Sequence, residues 1–296
     1  VMDAAAVIRG DQPADSIEFK LPDDKRIWGT KYPRPSAVAK VTGTAEYGAD
    51  LALQLPAGTL QLALVQAKVS HANILSIDTS EAEKMPGVAK VVTYKDVKGK
   101  NRINGLVTFP TNKCDGWDRP ILCDTKVFQY GDAIAIVCAD TKEQALAAVE
   151  KVKVELEELP AYLSAPAAMA DDAIEIHPGT PNVYFEQGVV KGEETKPIME
   201  TAAYVVENNY YTQRQPHLTI ESDMGFAYYD EEGRLTIHSK SIAIYLHAIM
   251  IADGLGVDVS QLRMVQNTAG GTFGYKFCPT LEALLGAACM ATNRPV

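Results

Sequence analysis

Apolar residues recur along this chain with two different periods. Leu60, Leu62 and Leu64 alternate with Gln61 and Ala63, the period of two that marks a half-buried strand. Asp132 to Cys138 contains a short continuous apolar run that predicts a buried strand, and Val152, Val154 and Leu156 alternate with charges as the next one. Between them, Asp140 with Glu143 has the spacing of a helix start, and the helix is expected to run through Val149. Ser80 with Glu83 reads as a capping box before a short helix that stops near Pro86-Gly87. Farther on, Tyr204 to Tyr211 and Leu235 to His238 read as strands and Ile242 to Leu255 as an apolar helix. Pro279 to Met290 reads as a helix with proline near its first turn. The fold class expected is α+β.

The same pattern divides the chain. Residues 1–35 read as a connector, with Pro13, Pro22, Pro33 and Pro35 among scattered charges and a short helical run from Met2 to Ile8. Residues 36–160 hold the first strand-and-helix unit. A run of small residues from Ser164 to Ala170, continued by Pro178 to Asn182, makes 161–181 a linker, and 182–296 a second unit. With 296 residues, 47% of them hydrophobic and 22% charged, the chain can bury a sizeable core in one large or two ordinary domains.

Charge and cysteine usage narrow the functional classes. A formal net charge of −10 argues against a nucleic-acid partner, which needs a basic face. No apolar run approaches the ~20 residues of a membrane span, and Val1 to Arg9 lacks the basic leader, apolar core and cleavage site of a signal peptide. Five widely spaced cysteines, Cys114, Cys123, Cys138, Cys278 and Cys289, suit a reduced compartment, with the cytoplasm as default. They contain no Cys-x-x-Cys pair, so no iron–sulfur cluster is expected on this chain. The histidines (His71, His177, His217, His238 and His247) show no zinc-ligand spacing, and no protein metal ligand is expected.

The chemistry concentrates in Gly270-Gly271-Thr272-Phe273-Gly274-Tyr275-Lys276-Phe277, where three glycines let main chain approach a bulky ligand. It is not a P-loop, because Tyr275 separates Gly274 from Lys276 and Phe277 follows. It also lacks the Gly-x-Gly start of a dinucleotide fingerprint, and the run Leu262 to Val265 before it is short for that motif's opening strand. The segment resembles the Gly-Gly-x-Phe-Gly-x-Lys loop of the xanthine oxidase and aldehyde oxidase family of molybdenum hydroxylases. Within that family it resembles the aldehyde oxidoreductases of sulfate-reducing bacteria. Ordered matches elsewhere strengthen the resemblance: Tyr32-Pro33-Arg34-Pro35, Lys40 to Tyr47, Ser70-His71-Ala72-Asn73-Ile74, Ile77 to Ser80, Met85 to Val88, Phe128 to Asp132, and Glu157-Glu158-Leu159-Pro160.

That resemblance implies an a/b hammerhead domain over 36–160, followed by the N-terminal part of a molybdopterin-binding domain. It implies a molybdenum–pterin cofactor in the cytosine-dinucleotide form, with [2Fe–2S] clusters in the parent enzyme but off this chain. Gly270, Gly271, Phe273 and Gly274 would hold the cofactor. Gln215, in Gln213-Arg214-Gln215-Pro216-His217, would hydrogen-bond a molybdenum oxygen. Phe277 would form an apolar substrate wall where purine-oxidising relatives carry glutamate, which favours an aldehyde. The reaction implied is hydroxylation of an aldehyde to a carboxylate with water as oxygen source. The general-base glutamate would lie outside this chain, which would begin after the iron–sulfur domains and belong to a homodimer. Alternatives are a cofactor-binding or assembly module without turnover, a relative acting on purines or heteroaromatics, or a nicotinamide-dependent oxidoreductase, which the missing Gly-x-Gly start argues against.

Overall fold

The computed structural model describes residues 23, 34, 36–104, 119–183, 186 and 188–296. The expected connector, apart from Asp23 and Arg34, lies outside these residues together with its helix at Met2 to Ile8, and so does Cys114. In chain order the elements are α1 (Ala37–Thr42), α2 (Gly48–Ala52), β1 (Gln61–Gln66), β2 (Ala72–Asp78), β3 (Val88–Thr93), β4 (Arg102–Ile103), β5 (Arg119–Pro120), β6 (Lys126–Val127), β7 (Ala133–Ala139), α3 (Lys142–Val149), β8 (Lys153–Glu158), α4 (Ala165–Ala168), α5 (Thr195–Thr201), β9 (Phe226–Tyr229), β10 (Leu235–Ser239), α6 (Ile244–Leu255), β11 (Leu262–Gln266) and α7 (Thr280–Thr292).

The apolar run of β7 places it centrally, between β1 and β3 and antiparallel to both. A strand without polar alternation needs cover on both faces. Ile136 and Cys138 join Leu60 and Val92 in one core, while Val137 and Ala139 join Ala63 and Val65 in another. The second core is closed by α3, through Ala145 and Ala148, and by residues of the sheet in which β2 lies between β6 and β8. The first core continues into Ile237 of β10, Ile251 and Leu255 of α6, and Leu284, Leu285 and Ala288 of α7. Consequently β1 is not half-buried as its alternation suggests. Leu62 and Leu64 pack against one core while Ala63 and Val65 are buried in the other.

The later part of the chain is built around β10, which pairs antiparallel with β9 and parallel with β11. A parallel pair needs a crossover, and α6 supplies it. The end of α6 is fastened to the earlier unit. The Asn101 and Lys100 amides donate to the Gly254 and Asp253 carbonyls at 3.0 and 3.1 Å. Gly254 is required here, because a Cβ would overlap the Arg102 carbonyl oxygen.

Several local expectations shift. The cap of α3 is Thr141 with Gln144, not Asp140 with Glu143, because the Asp140 amide is still held by the Gly87 carbonyl at 2.9 Å. The short helix expected after Ser80 is present as a single 3-10 turn. Pro86-Gly87 leaves room for only one tight turn at Ala82–Lys84, and Thr79 Oγ1, rather than Ser80, donates to Glu83 at 2.9 Å. The small-residue linker contains one helical turn, α4, capped by Ser164. Tyr204 to Tyr211 is not a strand: the segment is exposed and finds no pairing partner among the described residues. Strand propensity without a neighbour does not make a sheet. Cys123, Cys138 and Cys289 are buried, and burial pushes their thiols up to about 12, which suits packing rather than reactivity. Among the described residues no helix is long and apolar enough to cross a membrane.

Candidate functional site

The glycine-rich segment lies at the carboxyl end of the β10–β11 pair, between β11 and α7, with a tight turn at Tyr275–Phe277. In open sheets with parallel strands, this edge is where ligands are received. Gly271, Phe273 and Gly274 adopt φ of 102, 49 and 87°. Glycine takes such values freely, whereas Phe273 is held there at a cost of about 1 to 3 kcal/mol, a type of strain that clusters at functional sites. Phe273 is also 73% exposed, so burial of its ring does not offset that cost. Among the described residues, no acceptor is found for the amides of Gly271, Thr272, Phe273 and Gly274. A short run of free N–H groups on such backbone forms an anion-accepting concavity.

Buried charge fastens this backbone from below. Lys276, with no exposed surface, donates to Glu221 Oε2 at 2.5 Å, and the same oxygen accepts the Gly270 amide at 2.7 Å. Gly270 is needed for packing on Glu221, since a Cβ would stand 2.6 Å from the Glu221 Cβ. Tyr275 donates its hydroxyl to Asp223 at 2.5 Å, and burial, aided by that carboxylate, raises the phenol well above its usual range. Lys240, just after β10, donates to the Cys278 carbonyl at 3.0 Å. His247 of α6 donates from Nε2 to the Phe277 carbonyl at 2.8 Å and accepts the Ser241 hydroxyl at Nδ1, at 2.7 Å. Burial holds His247 below the ordinary imidazole value, which agrees with this neutral tautomer. Ser239 donates to the fully buried Glu282 at 2.7 Å, completing a polar layer under the loop.

The structure brings together the two segments singled out in the sequence. Gln215 itself is exposed, but two residues later the His217 ring lies 5.5 Å from that of Tyr275. Phe277 is 38% exposed, with its ring edge-on to His247 at 6.0 Å. Lys276 was legible as part of the motif, but its buried role was not. Glu221 was legible only as a residue that follows the Gln213 to His217 segment, and Lys240, His247 and Glu282 carried no local signal, because their partners lie 30 to 55 residues away. A cavity of about 800 Å³ includes Tyr275, Asp223, Leu60, Leu62 and Arg119 in its lining. Among the described residues, no group of three or more His, Cys, Asp or Glu could hold a metal ion directly.

Known proteins resemble both parts of the chain. Residues 42–160 match the family described as "Aldehyde oxidase and xanthine dehydrogenase, a/b hammerhead domain", and residues 176–296 match "Molybdopterin cofactor-binding domain". An aldehyde oxidoreductase of Megalodesulfovibrio gigas is 68% identical over the whole chain, which spans 33% of that relative. The solved aldehyde oxidoreductase of Desulfovibrio desulfuricans superimposes with a TM-score of 0.88 at 67% identity, over 99% of this chain and 33% of that one. The large molybdopterin subunit of nicotinate dehydrogenase from Eubacterium barkeri is more distant, at 31% identity over 92% of this chain and 61% of the subunit. The chain thus spans about a third of the length of the aldehyde oxidoreductases it matches.

Proposed function

Because the chain belongs to the aldehyde oxidase and xanthine dehydrogenase family, carrying a hammerhead domain followed by a molybdopterin-binding domain, we propose that it forms part of a molybdenum-dependent aldehyde oxidoreductase. The observation that carries this reading is the run of unpaired amides from Gly271 to Gly274, on backbone held open at positive φ. These residues fit the cofactor, whose oxo and phosphate oxygens are hydrogen-bond acceptors without donors of their own. When bound, the molybdenum–pterin group supplies the two-electron oxidation.

In this reading, Gly271, Phe273 and Gly274 present main-chain donors to the cofactor, and Gly270 ties the loop to Glu221. The Gln215 amide would donate to an oxygen of the bound cofactor without adding charge. Phe277 faces the substrate as an apolar wall. A purine edge set against it would leave polar groups unpaired, at about 1 to 3 kcal/mol each, so an aldehyde is the substrate class favoured. No carboxylate of the loop's foundation is assigned the base role, because Glu221 is committed to Lys276 and Glu282 to Ser239. We take 36–160 as the hammerhead, 161–181 as linker and 182–296 as the first part of the cofactor-binding domain. The remaining proposals are the cytosine-dinucleotide form of the pterin, [2Fe–2S] clusters elsewhere in the enzyme, a homodimer and a cytoplasmic location.

The test uses the whole enzyme that contains this chain. Its molybdenum content is measured, and aldehyde conversion is followed in isotopically labelled water. Molybdenum in each subunit and label in the carboxylate are expected. A molybdenum-loaded enzyme that leaves aldehydes untouched while oxidising a purine would overturn the substrate assignment, and absence of molybdenum would overturn the whole reading.

A further inference from the structure

Lys240 is 3% exposed and lies against four residues from three separate segments of the site. Its ammonium group donates to the Cys278 carbonyl at the exit of the loop and lies 5.2 Å from the centre of the Tyr275 ring. It stands 3.9 Å from Asp223 Oδ1 and 4.0 Å from Glu282 Oε2. Both oxygens are buried without a hydrogen-bond partner among the described residues, while the other oxygen of each carboxylate accepts from Tyr275 or Ser239, so the lysine faces the one unsatisfied oxygen of each. Asp223 belongs to the segment before β9, Tyr275 and Cys278 to the loop, and Glu282 to the first turn of α7.

The contacts differ in kind from those of Lys276. That residue is part of the loop and reaches one carboxylate, Glu221. Lys240 acts on the loop from outside, at the end of the strand whose parallel partner leads into it. The cation beneath the Tyr275 ring fixes the ring, and the Asp223 carboxylate takes its hydroxyl, so the side chain is held at two points. The residue before it is Gly274, the last of the positive-φ positions, and the Cys278 carbonyl closes the far side of the same turn.

We propose that Lys240 is the positioning residue of the glycine loop, holding the amides of residues 271–274 in their receptive arrangement before the cofactor arrives. The link to the cofactor rests on the function proposed above; the locking of the loop does not.

The experiment compares Lys240→Met, and Lys240→Met combined with Glu282→Gln, with the parent in the whole enzyme. The double variant removes the stranded charge on Glu282 while leaving the Cys278 carbonyl and the Tyr275 ring without their cation. Hydrogen exchange of the hydrogen-bonded loop amides, those of Gly270, Tyr275, Phe277 and Cys278, is followed in cofactor-free enzyme, with β7 as an internal control for general unfolding. Molybdenum per subunit and its paramagnetic resonance signal are recorded for the holoenzyme. Exchange in the loop is expected to quicken roughly tenfold in both variants, with β7 unchanged. Molybdenum content should fall by about half or more, and the residual signal should be altered. If the double variant regains parental loop exchange and molybdenum content, Lys240 only neutralises Glu282 and the proposal fails. If loop exchange quickens as expected but the parent never holds molybdenum, the positioning role stands and the assigned function falls.

Discussion

Glu221→Gln probes how firmly the loop is held down. The substitution keeps the size of the side chain and leaves an amide oxygen able to accept the Gly270 N–H, but removes the charge facing Lys276. Lys276 has no exposed side-chain surface and Glu221 is 17% exposed, so the ion pair is close to fully buried. Breaking such a pair costs about 3 to 5 kcal/mol, mostly because the remaining charge is stranded. The residual solvent at Glu221 and the retained hydrogen bond set the expectation at the lower end, about 3 kcal/mol. At 1.4 kcal/mol per factor of ten, the loop should open roughly a hundredfold more often. Hydrogen exchange of a peptide covering residues 267–279 reads this directly, with β7 as the unaffected reference. Combining Glu221→Gln with Lys276→Met should recover most of the protection, since an apolar replacement leaves no charge behind. Loop exchange in the single variant within about twofold of the parent would refute the account of Lys276 as a buried anchor.

Other expectations are equally specific. His71, His238 and His247 are all held below the ordinary imidazole value by burial, and Glu282 and Lys240 pull on His247 in opposite senses. The unfolded chain takes up these protons near pH 6.5 and the folded one only at lower pH. Their contribution should therefore be complete above about pH 6.5 and decline as the pH falls below it; thermal midpoints that stay level between about pH 7.5 and 5.5 would contradict this. Gly254→Ala should press α6 off the Arg102 carbonyl at a cost of about 3 kcal/mol, seen as a lowered thermal midpoint or loss of soluble protein; an unaltered midpoint would be inconsistent with the close approach. Thr141→Ala removes the cap of α3 and should cost about 1 kcal/mol in denaturant unfolding, with an unchanged midpoint counting against the capping geometry.

What was legible in the sequence was local. The strand, loop and helix around Gly270 to Phe277 could be read because glycine spacing, a short apolar run and a proline lie within thirty residues of one another. The apolar run of β7 likewise announced a strand covered on both sides. The foundation of the loop could not be read, since Glu221 and Lys276 are 55 positions apart and Lys240 and Cys278 are 38 apart, and no periodicity links them. Alternation also misled where small residues did the packing. Ala63 looked like the open face of β1 yet is buried in a second core. Tyr204 to Tyr211 has the composition of a strand, but composition says nothing about whether a neighbouring strand is within reach.

The interior that runs from Leu60, Val92 and Ile136 through Ile237 and Ile251 to Leu285 crosses the division between the two family segments. Modular exchange between relatives is constrained accordingly. A hammerhead segment transplanted from a relative such as the nicotinate dehydrogenase subunit, 31% identical, would meet α6 and α7 with side chains shaped for a different partner. Joining the pieces at the linker would preserve chain continuity and still leave mismatched volumes inside. A chimera that keeps this interior must carry the helices facing β1, β3 and β7 along with those strands, so the unit of inheritance is the packed layer rather than the stretch of sequence.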